Sequence, residues 1–224
     1  MICWVSTNPI SHTVMKSSGK TIKHLSQFDK TELQPSVFYG MLRGASKAMH
    51  ILKRAGIDYW YIDNGYYSAK YIDHRNFKDM DGTYRIVKND THHLLNNGVA
   101  FSSNLKSILL IPPSPYSAMF HDTLPEDWIN QSIKYLGNLY PDVRFVTRNK
   151  NSSKSLESDI SETDAVFSFN SMSVIKAIEM GKPVCDTHGI IRDMRFKLYR
   201  YADVINYYKD KQTTLDKLKD WAWL

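Results

Sequence analysis

Among the 224 residues are only two cysteines, Cys3 and Cys185, too few for a disulfide framework or a cysteine-built zinc cluster. Both fall in short apolar runs and read as buried thiols in a reducing cytoplasm. No apolar run approaches the ~20 residues that cross a bilayer, so no membrane partner is expected. The opening MICWVSTNPIS has neither a basic region nor a long apolar stretch; it reads as a first strand, Ile2–Ser6, and not as a signal peptide. No GxGxxG follows a strand, which argues against a dinucleotide enzyme. The Gly19-Lys20-Thr21 triplet lacks the spaced first glycine of a Walker loop. No Gly-x-Ser-x-Gly elbow is present, which argues against a serine hydrolase. No Asp-x-Asp follows a strand in the second half and no His/Cys spacing fits zinc, so no metal is expected. Acidic residues are in deficit, 23 against 29 basic ones, leaving a net charge of +6. That favours a polyanionic partner or phosphorylated substrates, although solvated lysines give the same total.

What is present centres on Asp164–Thr187, DAVFSFNSMSVIKAIEMGKPVCDT. Asp164–Phe169 is a compact apolar strand, and Asn170 or Ser171 caps a helix carrying Val174, Ile175, Ala177 and Ile178. Gly181 and Pro183 end that helix, and Val184-Cys185 begin another strand. Ahead of it lie an apolar strand, Ser107–Ile111, a helix, Pro125–Leu139, a strand, Val143–Thr147, and a short helix, Leu156–Ser161. This alternation over about 80 residues predicts a doubly wound parallel sheet.

The first half is less regular. Asn8–Lys23 reads as a long polar loop. Pro35–Ala55 shows helical spacing of Val37, Met41, Leu42, Ala45, Ala48, Met49 and Leu52. Asp58–Asp63 is a strand, which puts Asp63 at a strand's C-terminal edge. Tyr66–Arg75 and Thr83–Asn89 read as loops about a turn at Met80-Asp81-Gly82. Asn96–Ser103 reads as a connector, giving domains 1–103, 104–190 and a C-terminal helical segment, 191–224. Trp128, Trp221 and Trp223 read as core anchors.

Three strand ends of the second half carry polar groups: Ser114, Arg148 with Lys150, and Asn170 with Ser171 and Ser173. A parallel sheet projects all of them to one edge. Two cations, several hydroxyls and a helix N-terminus there suit a diphosphate. Glu179, two turns down the helix, is a core-edge carboxylate or a ribose ligand.

The combination LLIPPSPYSAMF…W…VRFVTRNK…DAVFSFNSMSVIKAIEMGKPV resembles the nucleotide-sugar half of two-domain, GT-B type glycosyltransferases. It is similar in particular to small phage-encoded members and more remotely to capsule and Kdo transferases. DYWYIDNGYYSA…TYRIVKN resembles their first half, so the likeness spans about 37–190. The fold it implies is α/β, two Rossmann-like domains facing each other with parallel sheets, the C-terminal helix packing back. The donor implied is a nucleotide-diphosphate sugar, a UDP-sugar first, with no cofactor or metal required. On the matching positions, Ser171 and Ser173 hold the diphosphate and Arg148 and Lys150 offset the leaving group's charge. Ser114 lies near the phosphates, Asn170 lines the same loop, and Glu179 meets the ribose. Asp63 faces the donor across the cleft as the base for the acceptor hydroxyl, with His121 and His12 as rivals.

A phage-like enzyme with a basic surface suggests a 5-hydroxymethylpyrimidine base in double-stranded DNA as acceptor, flipped into the site. Lys20, Lys23, Arg192 and Arg195 are the candidate backbone contacts. The rivals are transfer to a surface glycan or lipid, a non-catalytic binding protein of the same fold, and an epimerase, which needs a base and an acid flanking the sugar.

Overall fold

The computed structural model describes residues 1–41, 44–64, 83–89, 95, 97–101, 104–149, 152–189, 191–210, 213–214, 217–218 and 220. The chain divides into two compact units, Met1–Thr91 with Tyr208–Leu224, and His92–Tyr207. The first half runs β1 (Ile2–Val5), α1 (Pro9–Lys16), β2 (Thr21–His24), a 3-10 turn (Leu25–Gln27), β3 (Ser36–Tyr39), α2 (Ala45–Arg54), β4 (Tyr59–Asn64) and β5 (Thr83–Lys88). Then come β6 (Val99–Ala100), β7 (Ser107–Ile111), α3 (Pro115–Phe120), α4 (Pro125–Leu139), β8 (Arg144–Thr147), α5 (Leu156–Ser161) and β9 (Ala165–Ser168). The chain continues through α6 (Ser173–Glu179), β10 (Val184–Asp186), β11 (Asp193–Leu198), α7 (Tyr201–Asp210) and β12 (Thr213–Thr214).

Each unit is built on a six-stranded sheet, ordered β12-β5-β4-β3-β1-β2 in the first and β6-β11-β10-β9-β7-β8 in the second. In each, four neighbouring strands are parallel and the two at one edge are antiparallel. The expectation of parallel sheets is thus corrected at one edge of each, where β5 with β12 and β11 with β6 pair antiparallel. β7 and β9 are buried on both faces, as their unbroken SILLI and AVFS runs require. Asp164 clamps the N-terminal ends of these strands by accepting from the Lys106 and Ser107 amides at 2.9 and 2.8 Å.

Several sequence expectations are overturned locally. Asn8–Lys23 is not a loop: Asn8 caps α1 by accepting the Ile10 amide at 3.1 Å, Pro9 occupies the first turn, and β2 pairs with β1. The helix expected over Pro35–Ala55 begins only at Ala45, after strand β3. Gly40 and Gly44, at φ +66 and +93, break the backbone between them. Thr83–Lys88 forms β5, antiparallel to β4. The tail expected to be helical is mixed: β11 joins the second sheet and β12 the first, while α7 and residues 217–218 are helical. Trp128 is in the second core, with Phe167 stacked on it at 5.6 Å. Trp221, Trp223 and the 66–75 and 80–82 expectations lie outside the described residues.

Candidate functional site

In the second sheet the chain leaves β7 toward β8 and returns to β9 on its other side, so the direction of winding reverses between β7 and β9. Open α/β sheets place their ligands over the C-terminal strand edge at such a point. Here α3 starts after β7, α6 after β9, and the turn 187–189 follows β10.

The β7 crossover begins Pro112-Pro113-Ser114. Ser114 is the N-cap of α3, its hydroxyl accepting the Ser117 amide at 3.2 Å. An accepting hydroxyl keeps its proton for donation. Asn170, just beyond β9, donates from Nδ2 to Ser117 Oγ at 2.5 Å and ties the two crossovers together. Ser171 Oγ accepts the Ser173 amide at 3.2 Å and shares a hydrogen bond with Ser173 Oγ at 2.9 Å. The Ser171 amide in turn donates to Ser168 Oγ at 2.9 Å. Ser114, Asn170, Ser171 and Ser173 are therefore gathered at one edge. α6 spans seven residues, so its dipole is short and the side chains carry more of the polarity here.

The cations behave differently from expectation. Arg148 turns back into the unit, donating to Asp159 of α5 and to the Ser155 and Lys154 carbonyls at 3.2 and 3.1 Å. Its side chain is 15% exposed and that of Asp159 9%. Arg148 thus holds β8 to α5, and these partners compete with the donor role read for it. Lys150 lies outside the described residues. Glu179 ends α6, about 9 Å along the helix from Ser173 at 1.5 Å per residue, and pairs with Lys176 at 2.9 Å.

An aromatic and imidazole cluster occupies the same edge. Phe169 stacks on His188 with centroids 4.2 Å apart and planes 13° from parallel. His121, the C-cap of α3, meets Phe169 edge-on at 5.2 Å and His188 at 5.1 Å. His188 Nδ1 is 3.0 Å from Thr187 Oγ1, which also receives Trp128 Nε1–H at 3.3 Å. Asp186, at the end of β10, is wholly buried. A Cβ on Gly189 would stand 1.7 Å from Asp186 Oδ2, so any larger residue there requires the Asp186 carboxylate to shift. His188 was not singled out from sequence. The rule that picked Ser114 and Ser171, polar residues directly after a parallel strand, applies equally to Thr187-His188 after β10.

A shallow surface depression of about 420 Å³ lies nearby, lined by Met119, Asp122, Thr123, Leu124 and Asp127. Its carboxylates make it a poor seat for a diphosphate. Among the described residues, no three His, Cys, Asp or Glu side chains gather as they would to hold a metal ion.

In the first unit, Asp63 lies in β4 opposite Arg85 of β5, whose guanidinium donates to Asp63 Oδ2 at 2.8 Å. Burial, with the nearby Tyr84 and Asp63, raises the pKa of Tyr39 well above that of an ordinary phenol. Asp63 is 31% exposed and oriented by Arg85, a partner that only the strand pairing reveals. His12 is exposed on α1. Lys20 is exposed and Lys23 half-buried along the edge strand β2. In the second unit Arg192 and Arg195 are exposed, Arg195 paired with Asp193 at 3.3 Å.

No protein-family model matches the chain, and no curated protein sequence matches it. Among solved structures it is similar to Thermosulfurimonas dismutans KpsC, beta Kdo 2,7 transferase, with a TM-score of 0.48 and 9% identity over 98% of this chain and 97% of that one. It is also similar to the beta Kdo 2,4 transferase of KpsC from the same organism, with a TM-score of 0.44 and 12% identity over 98% and 89%. A third similarity is to a periplasmic binding ribose operon repressor protein from Lactobacillus acidophilus, with a TM-score of 0.30 and 7% identity over 82% and 75%. Among the described residues, no helix is long and apolar enough to cross a membrane.

Proposed function

We propose that the protein is a glycosyltransferase that moves a sugar from a nucleotide-diphosphate sugar, a UDP-sugar first, to a hydroxyl acceptor. One observation carries this reading. The Asn170–Ser117 bond ties the β7 and β9 crossovers together at the reversal point of a parallel sheet, beside Ser114, Ser171 and Ser173. Hydroxyls and loop amides held there meet phosphate oxygens with preset donors. The sequence resemblance of LLIPPSPYSAMF and of the Ser171–Pro183 stretch to nucleotide-sugar domains points the same way.

In this reading Ser114, Ser171 and Ser173 bind the diphosphate, and Lys150 offsets its charge as the glycosidic bond breaks. Arg148 supports β8 and α5, and Glu179 at the end of α6 is the proposed ribose ligand. Asp63, oriented by Arg85, takes the proton of the acceptor hydroxyl as the new bond forms, with His121 the alternative base. For the acceptor we propose a 5-hydroxymethylpyrimidine in DNA, supported by the net charge of +6 and the exposed Lys20 and Arg192. No metal enters the proposed reaction.

The test is label transfer from radiolabelled UDP-glucose and other nucleotide sugars to hydroxymethylpyrimidine DNA, plain DNA, a bacterial surface glycan or no acceptor. Label confined to the hydroxymethylated DNA supports the full reading. Label in the glycan alone keeps the transferase and replaces the acceptor. Label spread equally over all DNAs overturns the base acceptor, and none with any donor overturns the enzyme.

A further inference from the structure

The hydrogen bonds that join Thr187 to His188 Nδ1 have two arrangements. Thr187 Oγ1 always receives the Trp128 indole N–H, at 3.3 Å. Its own proton has two acceptors within reach: His188 Nδ1 at 3.0 Å and the Ser168 carbonyl at 3.5 Å. With a neutral His188 protonated on Nε2, the hydroxyl donates to Nδ1. With a charged His188, Nδ1–H donates to Oγ1, and the hydroxyl turns to the Ser168 carbonyl. Neither state leaves Thr187, Trp128 or Nδ1 without its bond, so the usual cost of an unmet buried donor is avoided in both. The stacked Phe169 ring, 4.2 Å away, adds cation–π attraction only to the charged form.

We infer that His188 is the proton-accepting residue of the donor site, and that phosphate binding there is coupled to proton uptake by its imidazole. The inference rests on the donor reading above. The ionisable groups that neighbouring elements bring to this edge are His121 and Asp122 at the end of α3, Glu126 and Asp127 in the first turn of α4, Asp186 of β10, and Arg192, whose backbone pairs with that of Asp186. β9 and the turn after it, through Met172, bring no ionisable side chain. Among the described residues, carboxylates therefore outnumber fixed cations at this edge, and while the imidazoles are neutral they oppose an incoming phosphate. Two charged imidazoles 5.1 Å apart would repel each other unless an anion lies with them. Phosphate supplies that anion. His188 is thus a binding residue, with Thr187 its positioning partner.

The experiment is calorimetric titration of the whole protein with UDP-glucose, and separately with UDP, from about pH 5.5 to 8.5, the range over which imidazoles change charge. Repeating it in buffers of different ionisation enthalpy counts the protons taken up. The expected result is net uptake near neutral pH, with affinity falling up to about tenfold per pH unit above the imidazole range. H188Q should bind weakly with the uptake lost, T187V should lose much of it, and T187S should restore it. UDP-glucose or UDP bound with no proton uptake, or with uptake unchanged in H188Q, overturns this inference and leaves the donor reading standing. Neither ligand bound at any pH, by a protein whose His188 imidazole still titrates by NMR, overturns the donor reading itself.

Discussion

At the scale of single residues, the clearest lesson concerns Arg148. From sequence it is a cation after a parallel strand, but Asp159 and two carbonyls already occupy its guanidinium. Removing one member of a buried pair strands the other charge and costs about 3–5 kcal/mol. Arg148→Ala should lower stability in urea by that order, and Arg148→Met with Asp159→Leu should recover much of it. If Arg148→Ala unfolds like the unsubstituted protein yet loses donor affinity, Arg148 faces the ligand after all. Asp193 gives a pH prediction. Burial works against its ionised form, but Lys197, Arg195 and the Arg195 amide more than offset this and bring its pKa down to about 2. A carboxyl depressed on folding stabilises above its unfolded pKa, near 3.9. That stability should fade as pH drops from about 4 through 2, and Asp193→Asn should flatten this part of the acid-unfolding curve. Neither partnership was legible in sequence, because Asp159 and Lys197 are recognised only once α5 and β11 are packed.

At the scale of elements, legibility followed periodicity and length. α4 runs Pro125–Leu139, and β9, α6 and β10 follow in the anticipated order, because apolar runs and a Gly-x-Pro stop mark them locally. β3 was concealed within a helical pattern because Val37 and Met41 happen to stand four apart. Gly40 and Gly44, both at positive φ, lie between the strand and the helix there. α1 was missed although Asn8-Pro9 is a cap followed by a first-turn proline; its eight residues offer too few apolar positions for the period to show. The turn after β10 makes its own prediction. Gly189→Ala places a methyl carbon against the buried Asp186 carboxylate, and relieving such overpacking costs about 1–3 kcal/mol. The melting temperature should fall accordingly, with His188 NMR resonances displaced. An unchanged melting temperature and spectrum would show that Asp186 moves aside without cost.

At the scale of the whole molecule, the two units share one plan. Each has four parallel strands in the order second, first, third, fourth, extended by two antiparallel strands. The first crossover in each carries the same local device, Asn8-Pro9-x-Ser11 and Ser114-Pro115-x-Ser117. In both, the cap accepts a first-turn amide, and the serine is buried. The strands of the second sheet, β6 to β11, follow one another in the chain, whereas the first sheet takes its edge strand β12 from beyond the whole second unit. That addition is invisible to local pattern, since β12 is two residues long. Leu218, beyond β12, is 1% exposed in the first core with Trp60, Ile62 and Tyr84. Leu218→Ala should cost about 2–5 kcal/mol, read by hydrogen exchange as faster opening of first-unit amides. Equal acceleration in β7 and β9 would instead mean that the units open together.

The central claim is that a nucleotide-diphosphate sugar sits over the C-terminal edge of the second sheet. Hydrogen exchange of the protein with and without saturating UDP-glucose tests it most directly. The account predicts slowed exchange in Ser114–His121, Asn170–Val174 and Thr187–Gly189, with the remaining described amides of the second unit unchanged. Protection absent from all three segments, or confined to the acidic depression around Asp122 and Asp127, would contradict it.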